Sequence, residues 1–500
     1  MKLDPSVYHD LLLSLLPELV LTGWALVLLL FVAWRHQTLR DLRITGWLTL
    51  AALLSTAVAT WWLWWHRAGV EGLAAMVAVD DFRWVADWVF LGAAALTVLI
   101  SFAYLEREQL LAPEYYVLLV FGTIGMLVMA AGADLMVIFL GLELMSVAVY
   151  VLAGFDRRRA RSAEAALKYF LLGAFASGFL LYGIALLYGA TGTTNISLIG
   201  AQVAFMGQPS VMLLVGLALL IVGFAFKVAA VPFHMWAPDV YDGAPTPVTA
   251  FMATAVKAAA FAALFRVLVA GFGGVAAWHD MLWWLAAITM IGGNLFALGQ
   301  RSLKRMLAYS SVAHAGYLLV AVTAGGSSGT SAFIVYVIAY TLMSLGAFAV
   351  LTAKGRAGES DVLIDDLAGL AARRPWLAFA LAICMLSLLG FPGTAGFMGK
   401  WYILIAATGA GQNTLAAILV LTSVVSAGYY LPVIMAMYMK SEPDEAAHVD
   451  VRLDRWGRAA VVAVVAGLLL FGVWPNRLFD LARAAGQSVQ PAATTTTTGQ

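Results

Sequence analysis

Cysteine and charge are both scarce in this sequence. The 500 residues contain one cysteine, Cys384, which excludes a disulfide within the chain and any four-thiolate zinc or iron–sulfur site. Charged residues make up 11% of the chain, against about 25% in an average soluble domain. So little charge cannot cover a water-soluble globule. The formal net charge of +1 provides no basic face for nucleic acid.

Sequence motifs of nucleotide and redox enzymes are missing as well. The chain has no G-x-G-x-x-G, C-x-x-C or H-E-x-x-H pattern. The segment "GTAGFMGKW" is a poor phosphate loop, because Thr394 stands where such a loop has glycine and Trp401 where it has serine or threonine. We therefore expect no cofactor site in this chain, and any electron transfer must take place in another chain.

What the sequence has in abundance is apolar runs. Hydrophobic residues make up 63% of the chain and the mean hydropathy is +0.90. Since a membrane helix needs roughly 20 apolar residues, the pattern predicts an all-α polytopic membrane protein with about 14 transmembrane helices. The threonine-rich end, 481–500, is expected to be disordered.

Basic residues in the loops predict the orientation. Loops after odd-numbered spans hold nineteen lysines and arginines, and the loops and termini on the other side hold five. By the positive-inside rule the nineteen face the cytoplasm. Both termini are therefore expected on the periplasmic side of a bacterial inner membrane.

Five basic residues remain, and all of them fall within spans: Lys168, Lys227, Lys257, Arg266 and Lys400. Ionisable side chains at this depth are costly unless paired or hydrated, and they typically mark ion or proton pathways. Lys257 lies about ten residues into its span, or ~15 Å, too deep to reach either interface. Snorkelling to an interface is the favoured interpretation for Arg266 and stays open for Lys168.

Two apolar runs are interrupted by proline beside a lysine. Pro232 follows Lys227 in the seventh run, and Pro392 precedes Lys400 in the twelfth. Proline breaks a helix, and broken backbone persists in a membrane only inside protein or beside a water-filled cavity. The five-helix interval predicts two inverted repeats, spans 4–8 and 9–13, with discontinuous helices 7 and 12. A simple packing kink at each proline is the alternative.

Proton transfer is the chemistry that such buried groups support. Burial disfavours the charged forms of both lysine and glutamate, and Glu143 is the natural partner of Lys227. His234 lies two helical turns after Lys227 and would share its face if the helix continued. His234 and His314 therefore suit a relay between lysines, although either could be a satisfied packing histidine.

Five long motifs carry a family resemblance: "FKVAAVPFHMWAPDVYDGAPTPV", "ATAVK", "AALKYFLLG", "SSVAHAGY" and "GFPGTAGFMGKW". Over roughly residues 113–440 the chain resembles the antiporter-like membrane subunits of respiratory complex I, and most of all the N type. The opening "LLPELVLTG" is similar to that type too. A basic residue at Lys400, where the M type is expected to carry an acid, also favours N.

The resemblance implies a proton-pumping module. Its pathway would fall on Glu143, Lys168, Lys227, Lys257 and Lys400, with His234 and His314 as relays. FMN, iron–sulfur clusters and quinone would be bound by other subunits, and the neighbours would be subunit M and small subunits such as K. The implied divisions are a three-helix segment (1–112), two repeats (113–272 and 273–440), a loop with the last helix (441–480) and the tail (481–500).

Three other interpretations remain open. A subunit of a sodium/proton antiporter or of a membrane-bound hydrogenase would share this fold and these lysines. A self-contained solute transporter is less suited, because the apolar midplane offers little to hold a polar solute. A scaffold without transport does not account for five charges within spans.

Overall fold

Helices make up nearly all of the structure, which is a computed structural model that describes residues 10, 12–35, 38–67, 76–353, 362–441 and 453–489. Twelve helices in these ranges are long and apolar enough to cross a membrane. The helices that correspond to the fourteen apolar runs are α1 (Leu16–Trp34), α2 (Leu39–His66), α3 (Asp81–Arg107), α4 (Glu114–Ala131), α5 (Leu135–Ala153), α6 (Ala160–Thr191), α7a (Val211–Lys227) and α7b (Trp236–Gly243), α8 (Thr246–Gly271), α9 (Ala277–Leu298), α10 (Leu303–Ala324), α11 (Gly326–Ala353), α12a (Pro375–Leu389) and α12b (Ala395–Gly409), α13 (Asn413–Met439) and α14 (Arg455–Val473).

Helices 7 and 12 are discontinuous, as the prolines predicted. Apolar runs formed the other spans as expected, so the all-α membrane fold is confirmed. That all fourteen cross the membrane stays a prediction, because each half of helices 7 and 12 is too short to cross alone. The prediction that residues 481–500 are disordered was wrong for 481–488, which belong to the helix Asn476–Ser488. Residues 490–500 of that tail lie outside the described residues.

The first break lies between Lys227 and Trp236. Its freed backbone groups find partners within the protein, as a membrane interior requires. The Phe226 carbonyl accepts a hydrogen bond from the Trp236 indole at 2.9 Å, and the Val231 N–H donates to the Thr289 hydroxyl of α9 at 2.9 Å. The break is therefore held by side chains of other segments.

The second break depends on two glycines. Gly390 and Gly393 have φ values of +91° and +87°, which side-chain-bearing residues rarely adopt. A Cβ on Gly390 would also lie 3.0 Å from the Lys400 side chain. Glycine at 390 lets the chain turn while Lys400 approaches the end of α12a.

The centre of the bundle is formed by α8, α10 and α11, which are almost wholly buried, whereas α6 and α13 each present a broad face outward. Small residues allow close helix packing: Gly125 of α4 faces the backbone of α5, and Gly293 of α9 faces that of α10 in the same way. The two repeats thus begin with similar helix pairs. Lys257 and His314 lie on two of these central helices, α8 and α10.

Candidate functional site

Three lysines lie inside the bundle on three different helices. Lys227 ends α7a, Lys257 lies in α8 and Lys400 lies in α12b, with 3%, 1% and 6% of their surfaces exposed. A buried ammonium group is tolerated only when other groups solvate it. The partners of each lysine therefore define its chemistry.

Lys227 is held by α5. Its Nζ donates hydrogen bonds to the Ser146 hydroxyl at 2.7 Å and the Tyr150 hydroxyl at 2.9 Å. Glu143 instead accepts a hydrogen bond from Ser177, and within the described residues it forms no direct ion pair with Lys227. The expected direct contact between Glu143 and Lys227 is absent, yet the carboxylate remains close enough to act on the ammonium electrostatically.

The position of Tyr150 depends on a glycine of α6. A Cβ placed on Gly173 would lie 2.0 Å from the Tyr150 hydroxyl, far inside contact distance. The absence of a side chain at Gly173 is thus what admits this hydroxyl to Lys227. Tyr150 also lines a cavity of about 890 Å³, which residues of the basic loop 154–159 line as well. The cavity therefore extends from the basic loop to the tyrosine that contacts Lys227.

Lys257 is held by α10. Its Nζ donates to both the backbone carbonyl and the hydroxyl of Ser311, at 2.8 and 2.9 Å. A π-helical turn, Met252–Val256, immediately precedes Lys257. Such turns occur frequently at functional sites, where they re-aim a side chain.

His314 stands one turn beyond Ser311 on α10. Its Nδ1 lies 2.5 Å from the hydroxyl of Tyr336 and its Nε2 lies 3.0 Å from that of Tyr430. A neutral imidazole donates from one nitrogen and accepts at the other, so one tyrosine accepts while the other donates. Both Lys257 and Lys400 act electrostatically on this ring. His314 therefore lies within electrostatic reach of both lysines, and an imidazole with two hydroxyl partners can pass a proton by exchanging tautomers.

Lys400 is held by the second break. Its Nζ donates to the carbonyl of Leu389, the last residue of α12a, at 2.9 Å. The ammonium also lies 4.8 Å from the centre of the Tyr317 ring. The break supplies a backbone oxygen that a continuous helix would have used internally. A cavity of about 470 Å³ between α12 and α13 reaches Lys400.

Two predicted residues lie apart from these lysines. The Lys168 side chain is 40% exposed and pairs with Glu164 at 2.7 Å and Asp239 at 2.8 Å. His234 packs against Phe296 of α9, whereas Lys227 points to α5. The broken helix thus separates the faces that a continuous helix would have joined. The structure brings Glu143, Lys227, Lys257, His314 and Lys400 into the bundle, and leaves Lys168 at its edge.

Arg266 does not snorkel, so the favoured interpretation of this residue was wrong. Its guanidinium donates two hydrogen bonds to Asp80, at 2.6 and 2.9 Å. The Arg266 side chain is 7% exposed. A bidentate pair of this kind fixes both side chains.

Several polar partners were missed from the sequence. Ser146 and Tyr150 follow Glu143 by three and seven residues, a spacing that places them on one helical face and could have been recognised. Tyr336 and Tyr430 come from α11 and α13, and nothing in the local sequence links them to His314. The described residues contain no group of three or more histidine, cysteine or carboxylate side chains arranged to hold a metal ion.

The chain is similar in sequence to known membrane proteins. Residues 132–426 match the family described as NADH:quinone oxidoreductase/Mrp antiporter, TM. NADH-quinone oxidoreductase subunit N of Gemmatimonas aurantiaca is 47% identical over 499 residues, which cover 97% of this chain and 95% of that protein.

Solved structures show the same fold. A chain of respiratory complex I from Thermus thermophilus, solved with bound aureothin, superposes with a TM-score of 0.78 and 35% identity, covering 93% of this chain and 99% of that one. A chain of the Mrp complex from Dietzia sp. DQ12-45-1b superposes with a TM-score of 0.81, covering 95% and 97%. Its identity is 23%, which supports a likeness of fold alone.

Proposed function

Because the chain belongs to the family of NADH-quinone oxidoreductase subunit N, within the wider NADH:quinone oxidoreductase/Mrp antiporter family, we propose that it is a proton-translocating membrane subunit of an NADH-quinone oxidoreductase. The observation that carries this proposal is the set of three buried lysines, each solvated by neutral oxygens of a neighbouring segment. Lysines in such places can gain and lose protons, whereas a merely structural bundle would have no need of them. The chain then moves protons while other subunits move electrons.

The proposed pathway begins at the basic end of the bundle. Lys168 and its two carboxylate partners collect protons there, and Lys227 takes one up beside Ser146 and Tyr150. Glu143 stabilises the charged form of Lys227 from the same face of α5. Quinone reduction in another subunit shifts the balance between Glu143 and Lys227 and so drives the proton onward.

The second half of the pathway crosses the centre of the bundle. His234 and water carry the proton from Lys227 to Lys257, although His234 makes no direct bond to either lysine in the described structure. From Lys257 the route follows Ser311 to His314, which lies within electrostatic reach of Lys400. Lys400 then discharges toward the periplasm. The bends at Pro232 and Pro392 keep the lysine partners in place.

The setting of the chain is proposed on the same basis. It spans a bacterial inner membrane with both termini on the periplasmic side, as the nineteen basic loop residues predict. Its neighbours are subunit M and small subunits such as K, and its functional units are the two five-helix repeats, 113–272 and 273–440. FMN, iron–sulfur clusters and quinone are bound elsewhere in the complex, and this chain holds no redox site.

The second candidate is a subunit of a sodium/proton antiporter or of a membrane-bound hydrogenase. The Mrp likeness supports the shared fold, yet its sequence identity is 23%, against 47% for a subunit N that covers nearly the whole chain. The sequence comparison therefore favours the oxidoreductase.

The test is NADH-driven proton uptake by inverted membrane vesicles, with quinone reduction followed in the same sample. Lys227→Met keeps the side-chain length and removes the titratable group, so we expect loss of proton uptake and of coupled quinone reduction. Lys440→Met is the matched control, because Lys440 is 56% exposed and pairs with the exposed Asp365.

Assembly of the complex must be checked in both variants by its subunit content. If Lys227→Met assembles and pumps normally with NADH, the proposal fails. Sodium/proton exchange in the same vesicles would then decide for the antiporter.

A further inference from the structure

A second group of buried charges lies at the other end of the bundle from the basic loops. We name it the outer cluster, and it consists of Glu18 of α1, Asp80, Arg83 and Asp87 at the start of α3, and Arg266 of α8. The exposed fractions of these side chains run from 2% for Asp87 to 17% for Asp80. None of them takes part in the lysine pathway.

Two of the three carboxylates are matched one to one with an arginine. Arg83 donates two hydrogen bonds to Glu18, at 2.8 and 2.9 Å, and Arg266 donates two to Asp80. Asp80 also caps α3 by accepting the Arg83 backbone N–H at 2.8 Å. Guanidinium groups keep their charge in proteins, so these two pairs are each neutral.

Asp87 is the third carboxyl of the outer cluster, and no arginine is paired with it alone. Its Oδ2 lies 3.6 Å from Arg83 Nε, which is too long for a hydrogen bond, and its buried Oδ1 has no hydrogen-bond partner among the described residues. The charged groups that act on it are Glu18, Asp80, Arg83 and Arg266, whose charges cancel. The α11 helix, which packs along α3, contributes no acidic or basic side chain. The other helices packed on α3 carry further titratable groups, none of which is among the charges that act most strongly on Asp87: Arg40, Asp41, Arg43 and His66 of α2, Glu114 of α4, Arg455 and Arg458 of α14, and Arg477, Asp480 and Arg483 of the helix Asn476–Ser488. An ionised Asp87 would therefore be an uncompensated buried charge.

A buried carboxylate without its own counter-charge takes up a proton instead of remaining ionised. We infer that Asp87 holds a proton at neutral pH, so that the outer cluster is neutral and the chain has a proton-binding carboxyl outside the lysine row. This inference rests on the charge balance of the outer cluster and does not depend on the proposed pathway.

An apolar barrier separates this proton from the lysines. Lys257 and Arg266 are nine residues apart on α8, or ~13.5 Å, and the space between them is filled by Phe82, Phe261 and Phe333. A gap lined there by Phe82, Ala262 and Phe333 has a volume of about 10 Å³, room for at most one water. Asp87 therefore exchanges its proton with the outer side, where Asp80 is partly exposed, and not with the row.

The first test compares two carboxyl-to-amide variants in the assembled, membrane-embedded complex. Asp87→Asn has the shape of a protonated aspartic acid, so we expect the chain to assemble and to keep its thermal stability. Glu18→Gln is the matched control, because it leaves Arg83 without its paired carboxylate and should lower the amount of assembled complex. Equal damage from both variants would mean that Asp87 is ionised and would overturn the inference.

The second test detects the proton itself. The infrared spectrum of the purified complex, wild type minus Asp87→Asn, should contain the carbonyl band of a protonated carboxylic acid, and this band should shift in D2O. Relative to Asp87→Asn, the wild type should lose stability as pH rises from about 4, because the unfolded chain then ionises Asp87 while the folded chain keeps it protonated. This loss should level off at the pH where Asp87 ionises in the folded chain. A carboxylate band in place of the acid band, or the same dependence of stability on pH in both proteins, refutes the inference.

Discussion

The contact between Gly173 and Tyr150 gives the sharpest prediction. A methyl group at residue 173 would lie 2.0 Å from the Tyr150 hydroxyl, so Gly173→Ala must push the ring away from Lys227. Overpacking of this kind costs about 1–3 kcal/mol. Lys227 would lose one of its two hydrogen bonds, and a hydrogen bond to a charged group contributes about 1.5–3 kcal/mol. We expect the charged form of Lys227 to be destabilised by roughly that amount.

The assay is again NADH-driven proton uptake in inverted vesicles, normalised to assembled complex. About 1.4 kcal/mol corresponds to a tenfold change, so Gly173→Ala should lower coupled turnover by roughly tenfold or more. Gly178→Ala on the same helix is the control, because nothing lies within 4 Å of the added methyl. Tyr150→Phe removes the hydroxyl without a clash and should reproduce the loss. Normal pumping in both Gly173→Ala and Tyr150→Phe would refute the role assigned to this hydroxyl.

Three further outcomes are expected. Arg266→Met leaves the partly exposed Asp80 without its partner, so it should cost less than the roughly 3–5 kcal/mol of a fully buried pair; the loss is measured as a lower thermal midpoint, and adding Asp80→Asn should recover part of it. Tyr430→Phe removes the hydroxyl at Nε2 of His314, worth about 1 kcal/mol, and should slow proton uptake more than it lowers assembly. Gly396→Ala places a methyl 1.8 Å from a carbonyl of α12a, so it should reduce the amount of folded chain in the membrane; an unchanged amount would mean that the two halves of helix 12 can move apart freely.

The sequence predicted the elements that obey local rules. Pro232 and Pro392 marked the two breaks because proline cannot continue a helix, and Lys257 could be placed at the midplane by counting residues. Contacts between distant segments could not be predicted in the same way. Tyr336 and Tyr430 meet at His314 only because α11 and α13 pack on α10.

Two errors in the sequence interpretation have physical causes. A helical face was extended from Lys227 to His234 across a break, where the helical period no longer holds. Arg266 was assigned to an interface because its partner, Asp80, lies 186 residues earlier in the chain. Depth within a span thus predicts that a charge needs a partner, but it cannot identify that partner.

The neutral ligands of the three lysines have one more consequence. Among the described residues, Lys227, Lys257 and Lys400 bind hydroxyl and carbonyl oxygens and no carboxylate directly. Like charges in a medium of low polarity repel strongly and are little screened by salt. When one lysine takes up a proton, its charge therefore repels the charge on the next lysine, and that lysine releases its proton more readily. Under the proposed function, charge would cross such a row by displacement, with each arriving proton expelling the next one.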